Sequence, residues 1–189
     1  LGLPSWVKTS GSKGYHIVVP LDGKADTGAV ASFAHHVGAT LVKLAPDHLT
    51  QEFSKADRGR RILVDTGRNN YSATWAAPYA VRAKLGAPVS APCTWEEIER
   101  GDVGPQTFTL RTMAARLAEV GDLWSDLWKR GRSLRRAIDR LKPLQVAAGT
   151  RPSQALRPAA LPSRLTPAAL RQQSNPVVPT GVRRVGRRR

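Results

Sequence analysis

Lys8-Thr9-Ser10-Gly11-Ser12-Lys13-Gly14-Tyr15-His16 is a polar, glycine-punctuated segment held between two apolar runs, Trp6-Val7 before it and Ile17-Val18-Val19 after it. Apolar runs joined by a short Gly/Ser connection predict two strands and a tight turn. Gly11 and Gly14 let that turn adopt dihedrals closed to other residues. Side chains alternate along a strand, so Lys8 and Ser10 share one face, as do His16 and Val18. Lysines, serines and a histidine thus gather at a bend with exposed backbone N–H groups, a chemistry suited to phosphate oxygens. The segment is not a Walker A loop, because G-x-x-x-x-G-K-[ST] fails in both spacing and order. By spacing alone, a polar hairpin loop with solvated lysines is the simpler reading.

The 189 residues suffice for one ordinary domain. Thirty Lys+Arg against 14 Asp+Glu leave a formal net charge of +16. That balance favours polyanionic partners, nucleic acid above all, and says nothing of fold. The single cysteine, Cys93, excludes an intramolecular disulfide framework and a Cys-based zinc site. It reads as a small apolar filler in a reduced, cytoplasmic setting. No apolar run approaches membrane-spanning length and no signal-peptide pattern opens the chain, so no membrane partner is expected. The chain opens on Leu1 and its one methionine is Met113, which reads as a piece of something longer.

After the hairpin, Asp26 and Thr27 offer N-caps to a helix running to about Ala45. Val30, Phe33, Ala34, Val37, Leu41 and Leu44 mark its apolar stripe. His35 and His36 lie in this helix without partners at ligand spacing beyond distant His48, and read as surface residues. Pro46-Asp47 is expected to start a short helix carrying Leu49 and Phe53, which Asp57-Arg58-Gly59 ends. Ile62-Leu63-Val64 reads as a strand with Asp65 at its C-terminal edge. There a carboxylate followed by Gly67 and Asn69-Asn70 fits turn chemistry as readily as a site. Ala73 to Val81 reads as extended, with Arg82 and Lys84 following on one strand face. Thr94-Trp95-Glu96-Glu97 is a capping box. A longer helical region spans Thr109 to Leu141, interrupted at Gly121-Asp122, and Arg130, Arg132, Arg135, Arg136 and Arg140 make one side of it basic.

Beyond Pro143 the character changes. Residues 151–189 hold nine arginines, no Asp or Glu, no aromatic residue and many prolines. Such a segment cannot bury enough apolar area to offset the entropy of ordering, so 143–189 is expected to be a disordered basic tail. Its end, Arg183-Arg184-Val185-Gly186-Arg187-Arg188-Arg189, suits non-specific phosphate contact. A solubilising appendage with no further role fits the composition equally.

Several blocks of this sequence resemble one family. K-T-S-G-S-K-G-Y-H before an apolar strand looks like the second motif of ligase D polymerase domains, members of the archaeo-eukaryotic primase superfamily in bacterial end-joining repair. Arg61-Ile62-Leu63-Val64-Asp65 with Arg68-Asn69 resembles the third motif. Ala77-Pro78-Tyr79-Ala80-Val81-Arg82-Ala83-Lys84 and Gly86-Ala87-Pro88-Val89-Ser90 are similar to the block that follows it. Phe108-Thr109-Leu110 with Leu117-Ala118-Glu119-Val120-Gly121-Asp122 resembles the closing helices. The resemblance covers residues 1–142 and implies an α+β fold, a partial primase-type sheet with covering helices. By it, Ser10, Lys13 and His16 bind the triphosphate of the incoming nucleotide, with Arg68, Arg82 and Lys84 beside the phosphates, and Asp65 is a catalytic metal carboxylate. It implies Mn²⁺ or Mg²⁺ as cofactor. The implied partners are DNA break ends and gapped duplex, NTP or dNTP, a ligase module and Ku, in the bacterial nucleoid.

The sequence also departs from the family. Lys84 stands where arginine is usual, which keeps the charge and loses the bidentate fork. Thr66 stands where an aromatic residue is frequent. The family's Asp-x-Asp pair lies upstream of the K-T-S-G motif, and this chain holds no Asp-x-Asp. Two-metal phosphoryl transfer needs several carboxylates. The expectation is therefore the C-terminal half of a polymerase domain, inactive in nucleotidyl transfer on its own. The competing class is a non-catalytic basic remnant that binds nucleic acid by charge.

Overall fold

β1 (Trp6–Thr9) and β2 (Tyr15–Val18) make the hairpin that the two apolar runs predict, antiparallel, with Lys8 opposite His16 and Thr9 opposite Tyr15. The structure, a computed structural model, describes residues 1–149. β1 takes β5 (Pro92–Cys93) on its other edge, giving the order β2-β1-β5. Side chains reinforce this second edge. Thr9 Oγ1 donates to the Val89 carbonyl at 2.9 Å and accepts from the Ala91 amide at 2.9 Å, while Ser90 Oγ donates to the Thr9 carbonyl at 2.7 Å. Buried hydroxyls are tolerated when paired in this way. Val7, Val89, Ala91, Cys93, Val103, Phe108 and Met113 form the core around them. Cys93 is a filler here, and burial pushes its thiol up to about 11.

α1 (Thr27–Leu44) starts at Asp26, whose carboxylate accepts from the Ala29 amide at 2.8 Å. Ala29 and Phe33 pack against Leu134, Ala137, Ile138 and Leu141 of α5 (Leu134–Ala147), with Val30 and Val37 at the margin. The stripe read from the sequence runs further than this contact, since Leu41 and Leu44 are exposed.

The segment from Pro46 to Gly59 differs from the reading as one helix. Leu49 and Thr50 form β3 (Leu49–Thr50), parallel to β4 (Ile62–Leu63), and only α2 (Lys55–Arg58) is helical. The cause is tertiary: the Ile62 amide donates to the His48 carbonyl at 2.7 Å and the Val64 amide to the Thr50 carbonyl at 2.8 Å. Ala73 to Val81 is likewise not a strand. Tyr79 sits at φ +64, and its backbone pairs with Ser90 around that bend. α3 (Trp95–Glu99) has both bonds of its capping box, Glu97 amide to Thr94 Oγ1 and Thr94 amide to Glu97 Oε2. The long helical region resolves into α4 (Met113–Val120), a 3-10 turn Leu127–Arg130, and α5. α5 continues beyond Leu141 through Pro143, which forgoes one helical hydrogen bond.

The fold is a mixed helix-and-sheet architecture, as the sequence implied. Among the described residues no helix is long and apolar enough to cross a membrane. The expectation of a disordered basic tail lies, from residue 150 onward, outside the described residues.

Candidate functional site

The β1–β2 bend closes on itself. The Ser10 amide donates to the Gly14 carbonyl at 2.9 Å, and Ser10 Oγ accepts from the Ser12 and Gly14 amides at 3.1 and 3.2 Å. Two amides that the sequence reading left exposed are thus turned inward, and the Ser10 hydroxyl keeps its own proton for a ligand. Gly11 sits at φ +61 with Arg82 packed over it, and a Cβ at Gly11 would lie 2.5 Å from Arg82 Cγ. Only glycine meets both demands.

Arg82 and Lys84 reach this bend from a turn rather than from a strand face. The Arg82 amide donates to the Pro88 carbonyl at 2.8 Å, and the Ala87 amide donates to the Lys84 carbonyl at 2.9 Å. Lys84 Nζ then donates to Ser12 Oγ at 2.6 Å, and Gln106 Nε2 donates to the Ser12 carbonyl at 2.6 Å. Lys13 is exposed on the bend.

Sequence reasoning did not place Lys8, Ser90 or Trp75 among the site residues. Lys8 is fully buried, which contradicts a solvated lysine. Its Nζ meets His16 Nδ1 at 2.8 Å, contacts Ser90 Oγ closely, and lies 4.7 Å from the Trp75 ring centroid. Burial, with the Arg82 charge second, lowers Lys8 to about 8, so at neutral pH it is still mostly charged. A lysine ammonium has donors and no acceptor. His16 Nδ1 must therefore accept, which leaves the ring proton on Nε2. Burial first, then the Lys8 and Arg82 charges, lowers His16 to about 4. His16 is thus a neutral imidazole at pH 7 with one N–H to offer. Alternation had put Lys8 and Ser10 on one face, but Ser90, 82 residues away, leaves no local signal.

Asp65 and Arg68 come from the loop after β4. Asp65 Oδ1 accepts from the Gly67 amide at 3.0 Å, starting a 3-10 turn, Gly67–Asn69, that packs on α1. Gly38 of α1 permits the approach: a Cβ there would lie 2.4 Å from Gln51 Nε2 and 3.3 Å from Thr66 Cγ2. Asp65 and Arg68 lie within electrostatic reach of His16, as do Lys8 and Arg82. The structure therefore brings Ser10, His16, Arg82, Lys84, Asp65 and Arg68 to one region. None of the ion pairs among the described residues uses Lys13, Arg68, Arg82 or Lys84. Unneutralised cations around a neutral histidine and a hydroxyl can hold a polyphosphate.

The donor set does not fit a pair of divalent cations. Asp65 is the one carboxylate among the charges that act on His16. No group of three His, Cys, Asp or Glu is placed to hold a metal ion among the described residues. His36 Nδ1 pairs with the Ser32 carbonyl at 2.7 Å, in keeping with a helix-surface role.

Residues 1–124 match the family model described as LigD, primase-polymerase domain. The chain is 37% identical over 128 residues to the multifunctional non-homologous end joining protein LigD of Pseudomonas aeruginosa, covering 67% of this chain and 15% of that protein. It is 26% identical over 129 residues to the bifunctional non-homologous end joining protein LigD of Bacillus subtilis, covering 68% of this chain and 21% of that one. Its fold is similar to the polymerase domain of Mycobacterium tuberculosis ligase D solved in complex with DNA, with a TM-score of 0.64 and 31% identity over 69% of this chain and 45% of that domain. The chain thus spans less than a quarter of these two curated relatives. The motif order, the fold and the family model agree, and the chain belongs to the LigD primase-polymerase family.

Proposed function

We propose that this chain supplies the nucleotide-phosphate side of an end-joining primase-polymerase that adds NTP or dNTP at DNA breaks or gaps. The observation that carries the reading is the convergence of the β1–β2 bend, Arg82 and the Asp65–Arg68 loop on His16. In this role the Ser10 hydroxyl and His16 Nε2–H donate to triphosphate oxygens. Arg82 offers a planar fork, Arg68 and Lys13 add charge, and Lys84 also ties down the bend.

Mn²⁺ or Mg²⁺ supplies charge neutralisation at the phosphates in such chemistry. Asp65 is this chain's carboxylate for that purpose, and by itself it does not hold two cations. DNA as partner is supported by the net charge of +16 and by the neighbour domain solved with DNA. A ligase module and Ku belong to the same proposal, on the relatives' end-joining names.

The second reading is a basic remnant that binds nucleic acid without catalysis, and the lone carboxylate favours it. Nucleotide affinity separates the two. Under the first reading Arg82→Ala raises the Kd for a nucleoside triphosphate at least tenfold. An unchanged Kd leaves only the second.

A further inference from the structure

Beside the phosphate site lies an open cleft of about 180 Å³, between β2, the Trp75–Tyr79 segment and the Leu127–Arg130 turn. Four aromatic side chains line it, Trp75, Tyr79, Trp124 and Trp128, together with the carboxylate of Asp122. Two of these rings are left in water, Trp128 at 87% and Trp75 at 44% exposure, while Trp124 is buried. Trp124 Nε1 is buried with no hydrogen-bond partner among the described residues, although a buried indole N–H usually finds one. The Tyr79 hydroxyl and the Trp124 amide both donate to Asp122 Oδ1, at 2.6 and 3.0 Å. Asp122 Oδ2 is left to accept from something else.

The volume is below that of a drug-sized pocket, so the cleft admits one ring system rather than a whole cofactor. Trp75 joins it to the charges next door, because the same indole lies 4.7 Å from Lys8 Nζ and 5.6 Å, edge to face, from the His16 ring. A nucleobase is a ring that can stack in the cleft while its attached phosphate rests on the neighbouring basic cluster. We propose that the cleft between Trp75, Tyr79 and Trp128 seats one nucleobase, whose phosphate lies on the His16–Arg82 side. Stacking tolerates every base. The open Asp122 oxygen adds a preference for bases with an exocyclic amine over thymine.

This inference rests on the phosphate-binding reading above. The base can come from an unpaired strand end or from a free nucleotide, and the test carries both. Wild-type chain and Trp128→Ala are titrated with a duplex bearing a one-nucleotide adenine overhang, with the same duplex bearing an abasic overhang, and with ATP. Trp128 is exposed, so the variant keeps its packing, which a thermal melt checks. One stacked base is worth about tenfold in affinity. The expected result is an overhang-to-abasic ratio near ten in the wild type that collapses toward one in Trp128→Ala. The same loss for ATP, with equal overhang and abasic duplexes, gives the seat to the nucleotide instead of the strand end. No response to Trp128→Ala in either arm overturns the inference. A dimer that Trp128→Ala dissolves, with no dependence on the base, overturns it in favour of a second copy in the cleft. Arg82→Ala separates the two levels: if it abolishes ATP binding while Trp128→Ala does nothing, only the cleft proposal falls. If wild-type chain binds neither ATP nor duplex, both fall.

Discussion

Lys8 keeps a charge in a place where burial opposes one, and its neighbour His16 is held neutral by the same burial. Both folded values lie below the ordinary ones, about 8 against 10.5 for Lys8 and about 4 against 6.5 for His16. Where the unfolded chain binds more protons than the folded one, stability rises with pH. His16 thus contributes a rise between about pH 4 and 6.5 that is fully present above 6.5 and lost as pH falls through 4. Lys8 contributes a second rise between about pH 8 and 10.5. His16→Ala should remove the first, on the order of 2 kcal/mol after discounting for partial exposure of the ring. Lys8→Met should flatten the second while filling the same space. Denaturant melts of the two variants against wild type across pH 4–10.5 check this, and parallel curves would show that neither group is held as described. At Arg82 the fork matters besides the charge. Arg82→Lys should therefore recover only part of the nucleotide affinity that Arg82→Ala loses, measured by titration with a nucleoside triphosphate.

Among the elements, α3 is the shortest to carry a complete set of end contacts. Thr94 and Glu97 cap its first turn, and Glu97 also pairs with Arg116 at 2.5 Å, with side chains only 14% and 10% exposed. Arg116 in turn lies 4.9 Å over the Phe108 ring. Thr94→Ala should cost about 1 kcal/mol, the usual loss for a cap. Glu97→Gln leaves a buried guanidinium without its counter-charge and should cost more, about 3 kcal/mol. Chemical denaturation distinguishes the two, and equal losses would mean the ion pair adds nothing. The capping box was legible in the sequence because its partners sit three residues apart. The hairpin was legible because its glycines and apolar runs are adjacent, and α1 because its cap and period are local. β3 was not legible, since Leu49 becomes a strand residue only through Ile62. The bend at Tyr79 was hidden in the same way, because the backbone of Ser90 sets it. Of the candidate site, the charged members were readable from motif order. The burial of Lys8, the Ser90 contact and the Trp75 ring above it all depend on contacts across the sheet.

At the scale of the whole chain two properties pull in different directions: a strong positive field and a sparse acidic set. Residues 151–189 add nine arginines and no acids. Such contacts strengthen binding without sequence preference, each neutralised phosphate contributing about −0.9 to the slope of log K against log[salt]. If about half of those arginines engage duplex at once, a chain ending at Gly149 should show a slope flatter by about four. A salt titration of both forms measures it, and equal slopes would remove these arginines from DNA binding. The acids tell the other half. Under the proposed reading Asp65 is the site's carboxylate, and the chain would hold a nucleotide's phosphates without by itself fixing the metal ions that transfer requires. Labelled-ribonucleotide incorporation on a gapped, 5′-phosphorylated duplex with Mn²⁺ tests this most directly, with the chain alone beside its Asp65→Ala variant. No incorporation above the protein-free reaction is expected for either protein. Incorporation by the chain alone that Asp65→Ala abolishes would contradict it.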